Sequence, residues 1–394
     1  MNHNLTFVAD IPNSAYIHIP FCRRRCFYCD FPVSIVGDRL RGETSGTISQ
    51  YVEVLCQEID ITPDFGQPLV TIFFGGGTPS LLSSEQLQRI LEALDSRFGI
   101  SPRAEISLEM DPGTFDLTHI QGYCRSGVNR VSLGVQAFQE DLLQVCGRSH
   151  SVSDILASVD LIHQVDLPEL SLDLISGLPH QTLDRWQESL EKAIAIAPTH
   201  ISIYDLTIEP KTAFGRYYKP GDQPLPTDET TVKMYLLAQE TLTDALYEHY
   251  EISNYAQPGH QCQHNRVYWQ NRPYYGFGMG AASYIEGKRF TRPRKTKEYY
   301  QWVQNGSVID CEVTPPDEIL LDTLMLGLRL AEGVSLAALA ENFGEGKVEE
   351  IHKCCSPYYE KGWVEVVEGR LRLTDPQGFL FSNVVLAKLF GELG

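Results

Sequence analysis

The sequence predicts an α/β protein built on a parallel sheet, with a smaller α+β segment after it. Three observations carry this. Short β-rich runs alternate with amphipathic helical runs through residue 206. The strand-like runs are apolar-rich, as in sheets covered by helices. Strand–helix pairs recur six times, each near the roughly 30 residues of one βαβ unit. A six-fold open barrel and a doubly wound sheet both fit this rhythm. Either would put its active site at the C-terminal strand ends.

The elements follow in order. Strands are expected at Ala15 to Phe21, Leu69 to Phe74, Ala104 to Met110, Arg130 to Val135, Glu169 to Ile175 and His200 to Leu206. Helices fall between them, among them Ile48 to Ile61, Ser84 to Phe98, Ser153 to Gln164 and Thr182 to Ala197. In the second helix Leu87, Ile90, Leu91 and Leu94 share one face, and Ser83 or Ser84 can cap its start. After Pro210 the rhythm changes. One helix is expected from Glu229 to His249, then a glycine- and aromatic-rich run, Tyr274 to Gly280. Thr314-Pro315-Pro316 reads as a linker. Beyond it come helices, a β-hairpin from Gly362 to Leu373 and a last helix near Gln377 to Leu389, a winged-helix-like pattern.

Composition excludes several functions. The 394 residues are 43% hydrophobic and 10% aromatic, which excludes a disordered chain. No stretch approaches the ~18 apolar residues of a membrane span, and the first ten residues lack signal-peptide character. A cytoplasmic protein is expected, with reduced thiols. The net charge of −19 disfavours nucleic acid. The winged-helix-like segment is acidic too, with 15 Asp and Glu against 7 Lys and Arg over 310–394, so it lacks the basic footprint of DNA binding. The basic run Lys288, Arg289, Arg292, Arg294, Lys295 and Lys297 is a solvated loop or a peripheral membrane contact.

The strongest chemical signal is Cys22-x3-Cys26-x2-Cys29, directly after the first strand. Three thiols in eight residues can hold an iron–sulfur cluster, where one iron would lack a protein ligand and could bind a small chelator. A zinc site usually wants four ligands, often in paired C-x2-C units, and chance clustering is the third reading. Arg23, Arg24 and Arg25 lie between the first two cysteines and favour thiolates.

The run from Tyr16 through His18 and Cys22 to Tyr28 and Cys29 resembles the radical S-adenosylmethionine (SAM) superfamily. The resemblance implies a partial (β/α)6 barrel carrying a [4Fe-4S] cluster on Cys22, Cys26 and Cys29, with SAM chelating the open iron. It extends to Phe73-Phe74-Gly75-Gly76-Gly77-Thr78-Pro79 and to single residues near later strand ends, all matching the coproporphyrinogen-oxidase-like subfamily. By that resemblance Tyr16, Tyr28, Gly76, Gly77, Thr78, Glu109, Gln136, Arg148 and Asp173 line the SAM site. Asp173, an acid inside an apolar strand, needs a partner in any case. The implied division is 1–215 for the barrel, 216–310 for an extension and 311–394 for the winged-helix-like domain.

Two branches of that subfamily differ in function. The oxygen-independent oxidase, which decarboxylates coproporphyrinogen III, carries a fourth cysteine where this chain has Phe31, and a longer N-terminal arm. His264-Asn265-Arg266-Val267-Tyr268-Trp269 matches the haem chaperone branch. That branch implies a protein that binds haem and hands it to an acceptor protein, with SAM bound but coproporphyrinogen not oxidised. A homodimer is one assembly open to such a chain. His264 is the candidate axial ligand, with Cys262 second, and Tyr268, Trp269, Tyr274, Tyr275 and Phe277 as walls of the haem slot. A loop-bracing hydrogen-bond role for His264 is the alternative.

Overall fold

A computed structural model describes residues 11–38 and 41–394. Nine strands form its main sheet: β1 (Ser14–Ile19), β2 (Leu69–Gly76), β3 (Ile100–Met110), β4 (Arg130–Gln136), β5 (Glu169–Ser176), β6 (His200–Asp205), β7 (Glu248–Glu251), β8 (Asn254–Ala256) and β9 (Tyr275–Phe277). Their spatial order is β9-β1-β2-β3-β4-β5-β6-β8-β7. From β9 through β6 every pairing is parallel, and β8 and β7 close the far edge antiparallel.

This order decides between the two architectures. β1 to β6 follow one another without a reversal, whereas a doubly wound sheet reverses at a switch point. Right-handed crossovers that always advance in one direction leave all helices on one face, the arrangement of a partial barrel. The covering helices are α1 (Gly46–Ile61), α2 (Ser84–Phe98), α3 (Leu117–Arg125), α4 (Glu140–Val145), α5 (Val152–Gln164) and α6 (Leu183–Ala195). Their starts are set locally. Ser83 caps α2 through a reciprocal box with Gln86, and Ser45, Ser151 and Thr182 cap α1, α5 and α6.

The strands alternate, which their apolar runs concealed. Ile106, Leu108, Val131, Leu133, Leu172 and Ile201 are buried in the main apolar core. The intervening Ser107, Glu109, Ser132, Ser171, Asp173, Ser202 and Tyr204 line cavities on the opposite, concave face. A period of two puts alternate side chains on opposite faces. The barrel interior is therefore polar.

The extension is part of the same sheet, since β7, β8 and β9 come from it. The helix expected from Glu229 to His249 is shorter. It is α7 (Asp228–Asp244), and the chain then turns through Leu246 at φ +68° into β7. Further on lie α8 (Gln263–Trp269) and α9 (Thr296–Gln304). The basic run at 288–297 is not wholly exposed: Arg292 is buried and pairs with buried Glu58 at 2.8 Å. Glu58 also accepts from the Gly278 N–H and the Tyr299 hydroxyl, which ties this segment to α1.

A second apolar core is built between Leu320 and Leu393. Its helices are α10 (Pro316–Gly327), α11 (Leu336–Phe343) and α12 (Glu345–Glu360), followed by the hairpin β10 (Val364–Val367) and β11 (Arg370–Leu373). The last helix is broken: one turn, Gln377–Leu380, precedes α13 (Ser382–Leu393), with Phe381 outside helical geometry. No helix among the described residues is long and apolar enough to cross a membrane.

Candidate functional site

The loop after β1 brings Cys22, Cys26 and Cys29 to one cavity of about 410 Å³ at the C-terminal strand ends. Backbone bonds fix that loop. Thr78 N–H donates to Phe21 O (2.7 Å), Phe27 N–H to Cys146 O (2.9 Å) and Cys29 N–H to Cys26 O (3.2 Å). All three thiols are free and partly accessible. Burial, and after it Asp111, pushes the Cys22 thiol up to about 12, against a lowering hydrogen bond from Thr78. Burial also raises Cys29. Loading a metal therefore requires proton release.

The donor set fits a cluster better than a single ion. Among the described residues no three His, Cys, Asp or Glu side chains converge as a mononuclear site requires. Three thiols on one cavity wall suit the spread ligands of an iron–sulfur cube. Arg148 supplies the compensating charge. Its side chain is buried, and its Nη1 lies 3.3 Å from Cys26 Sγ and 3.4 Å from the Tyr28 hydroxyl. Its Nη2 donates to Asp111 Oδ1 (2.5 Å) and Gly134 O (3.0 Å). Burial alone would lower its pKa, but Asp111, Cys26 and Tyr28 outweigh that and hold it cationic.

Of the residues expected at the SAM site, Tyr28, Gly76, Gly77, Thr78, Glu109, Gln136, Arg148 and Asp173 line this cavity with the thiols. The glycines are there because nothing larger fits. Gly76 has φ +112° and a Cβ would collide with the His18 ring, while one at Gly77 would lie 2.6 Å from Phe21 O. Gln136 sits at φ +68° beside an irregularity in the β4–β5 register, which turns it toward the cavity.

Tyr16 lies apart from the other residues expected at the SAM site. It lines an adjoining cavity of about 490 Å³ and not the thiol-lined one. Tyr16 and His18 share one face of β1, and Tyr16 lies two residues further from the strand end. Its hydroxyl pairs with His18 Nδ1 at 3.0 Å. His18 Nε2 donates to Pro32 O (3.2 Å), and burial lowers the imidazole pKa to about 4, so Nδ1 is the acceptor.

Two acids lie where the cavities meet. Burial, reinforced by Asp173, pushes Glu109 up to about 8, although Gly76 N–H donates to it at 3.0 Å. Burial lifts Asp173 to about 6 against hydrogen bonds from Ser132 and Ser202. The partner that Asp173 needs is thus supplied by hydroxyls on its neighbouring strands, with Ser132 Oγ at 2.8 Å. Sequence reasoning passed over Asp111, which joins Arg148 to Thr78 Oγ1 (3.2 Å). Its signal was a carboxylate one residue past a strand end.

His264 is placed as a core residue. It is fully buried and stacks on Phe73. Nδ1 lies 2.8 Å from Thr71 Oγ1, and Nε2 lies 2.8 Å from the Tyr268 hydroxyl. An axial bond to iron would require breaking one of these. Burial lowers its pKa to about 3. The motif helix α8 is docked by its first turn on Glu105, whose carboxylate accepts from Gln263 N–H and His264 N–H, each at 3.0 Å. Cys262 is buried with its thiol 3.6 Å from Glu105. Of the expected haem walls, Tyr268 and Tyr274 line the larger cavity, while Tyr275 and Phe277 are buried in the apolar core.

A sequentially wound parallel arc with three thiols at its first strand end defines a radical SAM protein. The Radical SAM superfamily signature matches residues 16–193, and that of the HemN C-terminal domain matches 314–381. The chain belongs to the HemW haem-chaperone family within it. It is 47% identical to "Heme chaperone HemW" of Synechocystis sp., over 97% of both chains. Identity to the Escherichia coli protein of that name is 38%, over 97% of this chain and 99% of that one. For the Bacillus subtilis protein it is 35%, over 96% and 100%. The solved coproporphyrinogen III oxidase HemN of Escherichia coli shares the fold at TM-score 0.81 and 23% identity, covering 98% of this chain and 91% of that one.

Proposed function

We propose that this protein is a haem chaperone: it binds haem, holds a SAM-coordinated [4Fe-4S] cluster, and passes haem to an acceptor protein. The observation that carries this is a pair of adjoining cavities in a chain that aligns end to end with proteins named haem chaperones. One cavity is thiol-lined and suits the cluster. The other, of about 490 Å³, is large enough for a sizeable organic ligand.

Cys22, Cys26 and Cys29 would hold the cluster, which supplies one-electron chemistry when bound. Arg148 keeps a fixed positive charge against Cys26 and offsets the thiolates. Gly76, Gly77 and Thr78 bring backbone to the cavity wall. Glu109 and Asp173 offer acceptors to hydroxyl and ammonium groups of SAM, and their raised pKa values fall once a cation lies beside them. Phe31 stands where a fourth cysteine would serve the oxidase, which favours the chaperone reading over decarboxylation.

The test is an anaerobic assay on cluster-loaded protein, with SAM, a reductant and coproporphyrinogen III, run beside a haem titration. A saturable Soret shift without vinyl product is expected. Vinyl product without a Soret shift would establish the oxidase instead.

A further inference from the structure

We infer that Phe31 and Tyr204 form a two-sided aromatic grip where the two cavities meet, and that the flat ring they hold is the porphyrin plane of haem. This rests on the haem-chaperone reading. The two cavities share a boundary made by Phe31, Gly76, Glu109, Ser132, Asp173 and Tyr204. Among the described residues Phe31 and Tyr204 are its only aromatic members. Phe31 is 55% exposed and Tyr204 47% exposed. Both rings are thus partly open to a ligand in the cavities they line.

One exposed aromatic residue is ordinary. What distinguishes Phe31 is that the backbone around it is held on every side. Arg25 Nη2 donates to Phe31 O at 3.2 Å, His18 Nε2 to Pro32 O at 3.2 Å, and Arg294 Nη2 to Asp30 O at 3.5 Å. Pro32 also packs on Gly280 so closely that a Cβ there would lie 2.7 Å from its Cγ. The exposed ring is thus presented by a fixed segment, which lowers the ordering cost of binding. Tyr204 stands on β6, as rigid a platform.

The two rings come from opposite ends of the six-strand arc. Phe31 is in the loop after β1, and Tyr204 is on β6. A ring system touching both must bridge the cavity boundary. Adenine is flat as well, but it is small enough to sit within one cavity, whereas a porphyrin reaches across. Aromatic stacking is selective for such planar, polarisable groups.

The test compares Phe31→Ala, Phe31→Trp, Tyr204→Ala and the double alanine variant with the native protein, all cluster-loaded. Iron and sulfide per chain report that the fold and cluster are intact. Haem titrations are expected to show affinity lowered roughly three- to tenfold by each alanine substitution and kept by Phe31→Trp. SAM binding is expected to be unchanged. Unaltered haem affinity in the double variant, with the cluster intact, overturns the grip. Weakened SAM binding with unaltered haem binding assigns the rings to adenine and overturns the porphyrin assignment. No haem binding by the native protein overturns the chaperone reading, and this proposal with it.

Discussion

At the scale of single residues, burial is what poises the site. The Cys22 thiol, pushed up to about 12, is held protonated until iron displaces the proton. Replacing Cys22, Cys26 or Cys29 with Ala is expected to abolish iron and sulfide content and the ~400 nm absorption. Haem binding should survive, because none of the three is among the residues that the two cavities share. Metal analysis and haem titration on the same preparations check this; full iron content in the triple variant would remove the cluster assignment. Glu109 gives a pH prediction. Its folded pKa, about 8, lies above the ordinary carboxylate value, so the folded state favours its protonated form. The stabilisation is complete below the unfolded pKa, near 4.3, and is lost as pH rises through about 8. Glu109→Gln keeps an acceptor for Gly76 N–H without titrating. The ligand-free variant should therefore gain thermal stability over native protein progressively from pH 5 to pH 9, by a few degrees at the upper end. Melting curves across that range that stay parallel would count against it. The three cysteines stand out in the sequence by their spacing, and Gly76, Glu109 and Arg148 by the family resemblance; the fold brings all six residues to one cavity. Asp111 was not legible in sequence, since a lone carboxylate next to Pro112 and Gly113 is a common turn residue.

At the scale of elements, α8 explains the His264 motif as architecture. Glu105 receives its first turn, His264 bridges Thr71 to Tyr268, and Phe73 stacks on the imidazole. His264→Ala leaves the buried Thr71 hydroxyl without a partner, at roughly 1–3 kcal/mol, frees the half-buried Tyr268 hydroxyl, and opens a cavity beside Phe73. An expected loss of about 3 kcal/mol in denaturant unfolding follows, with iron content unchanged. A stability loss below the error of such unfolding curves would contradict this placement. A lost Soret band in a fully stable variant would return His264 to haem ligation. The helices whose spacing and caps agree, such as α2 with Ser83 and Gln86, match the sequence reading closely. The helix expected through His249 failed at Leu246. Its positive φ ends the helix, and the residues after it pair with β8. Tertiary pairing overrode a local pattern there; in the last helix the break falls at Phe381, whose ring stacks on Trp363.

At the scale of the whole molecule, an acidic chain wraps its polar barrel interior in apolar helices and attaches a second apolar core beside the antiparallel edge. The attachment is direct. Ile252 N–H donates to Arg329 O, and Ala331 N–H to Tyr250 O, each at 3.0 Å. The six-unit rhythm made the α/β class legible in sequence. It left open whether the sheet was a barrel or doubly wound, because periodicity carries no strand order. The adjoining cavities were not legible either, because they arise from alternate residues of strands that read as apolar runs. This arrangement is expected to carry haem. The most direct measurement is haem retained per chain after gel filtration of anaerobically prepared, cluster-loaded protein. The expected result is about one haem per chain, unaffected by cluster removal, and recovered on an acceptor protein when one is added. Protein that emerges with its iron and sulfide intact but without haem would rule out a haem chaperone.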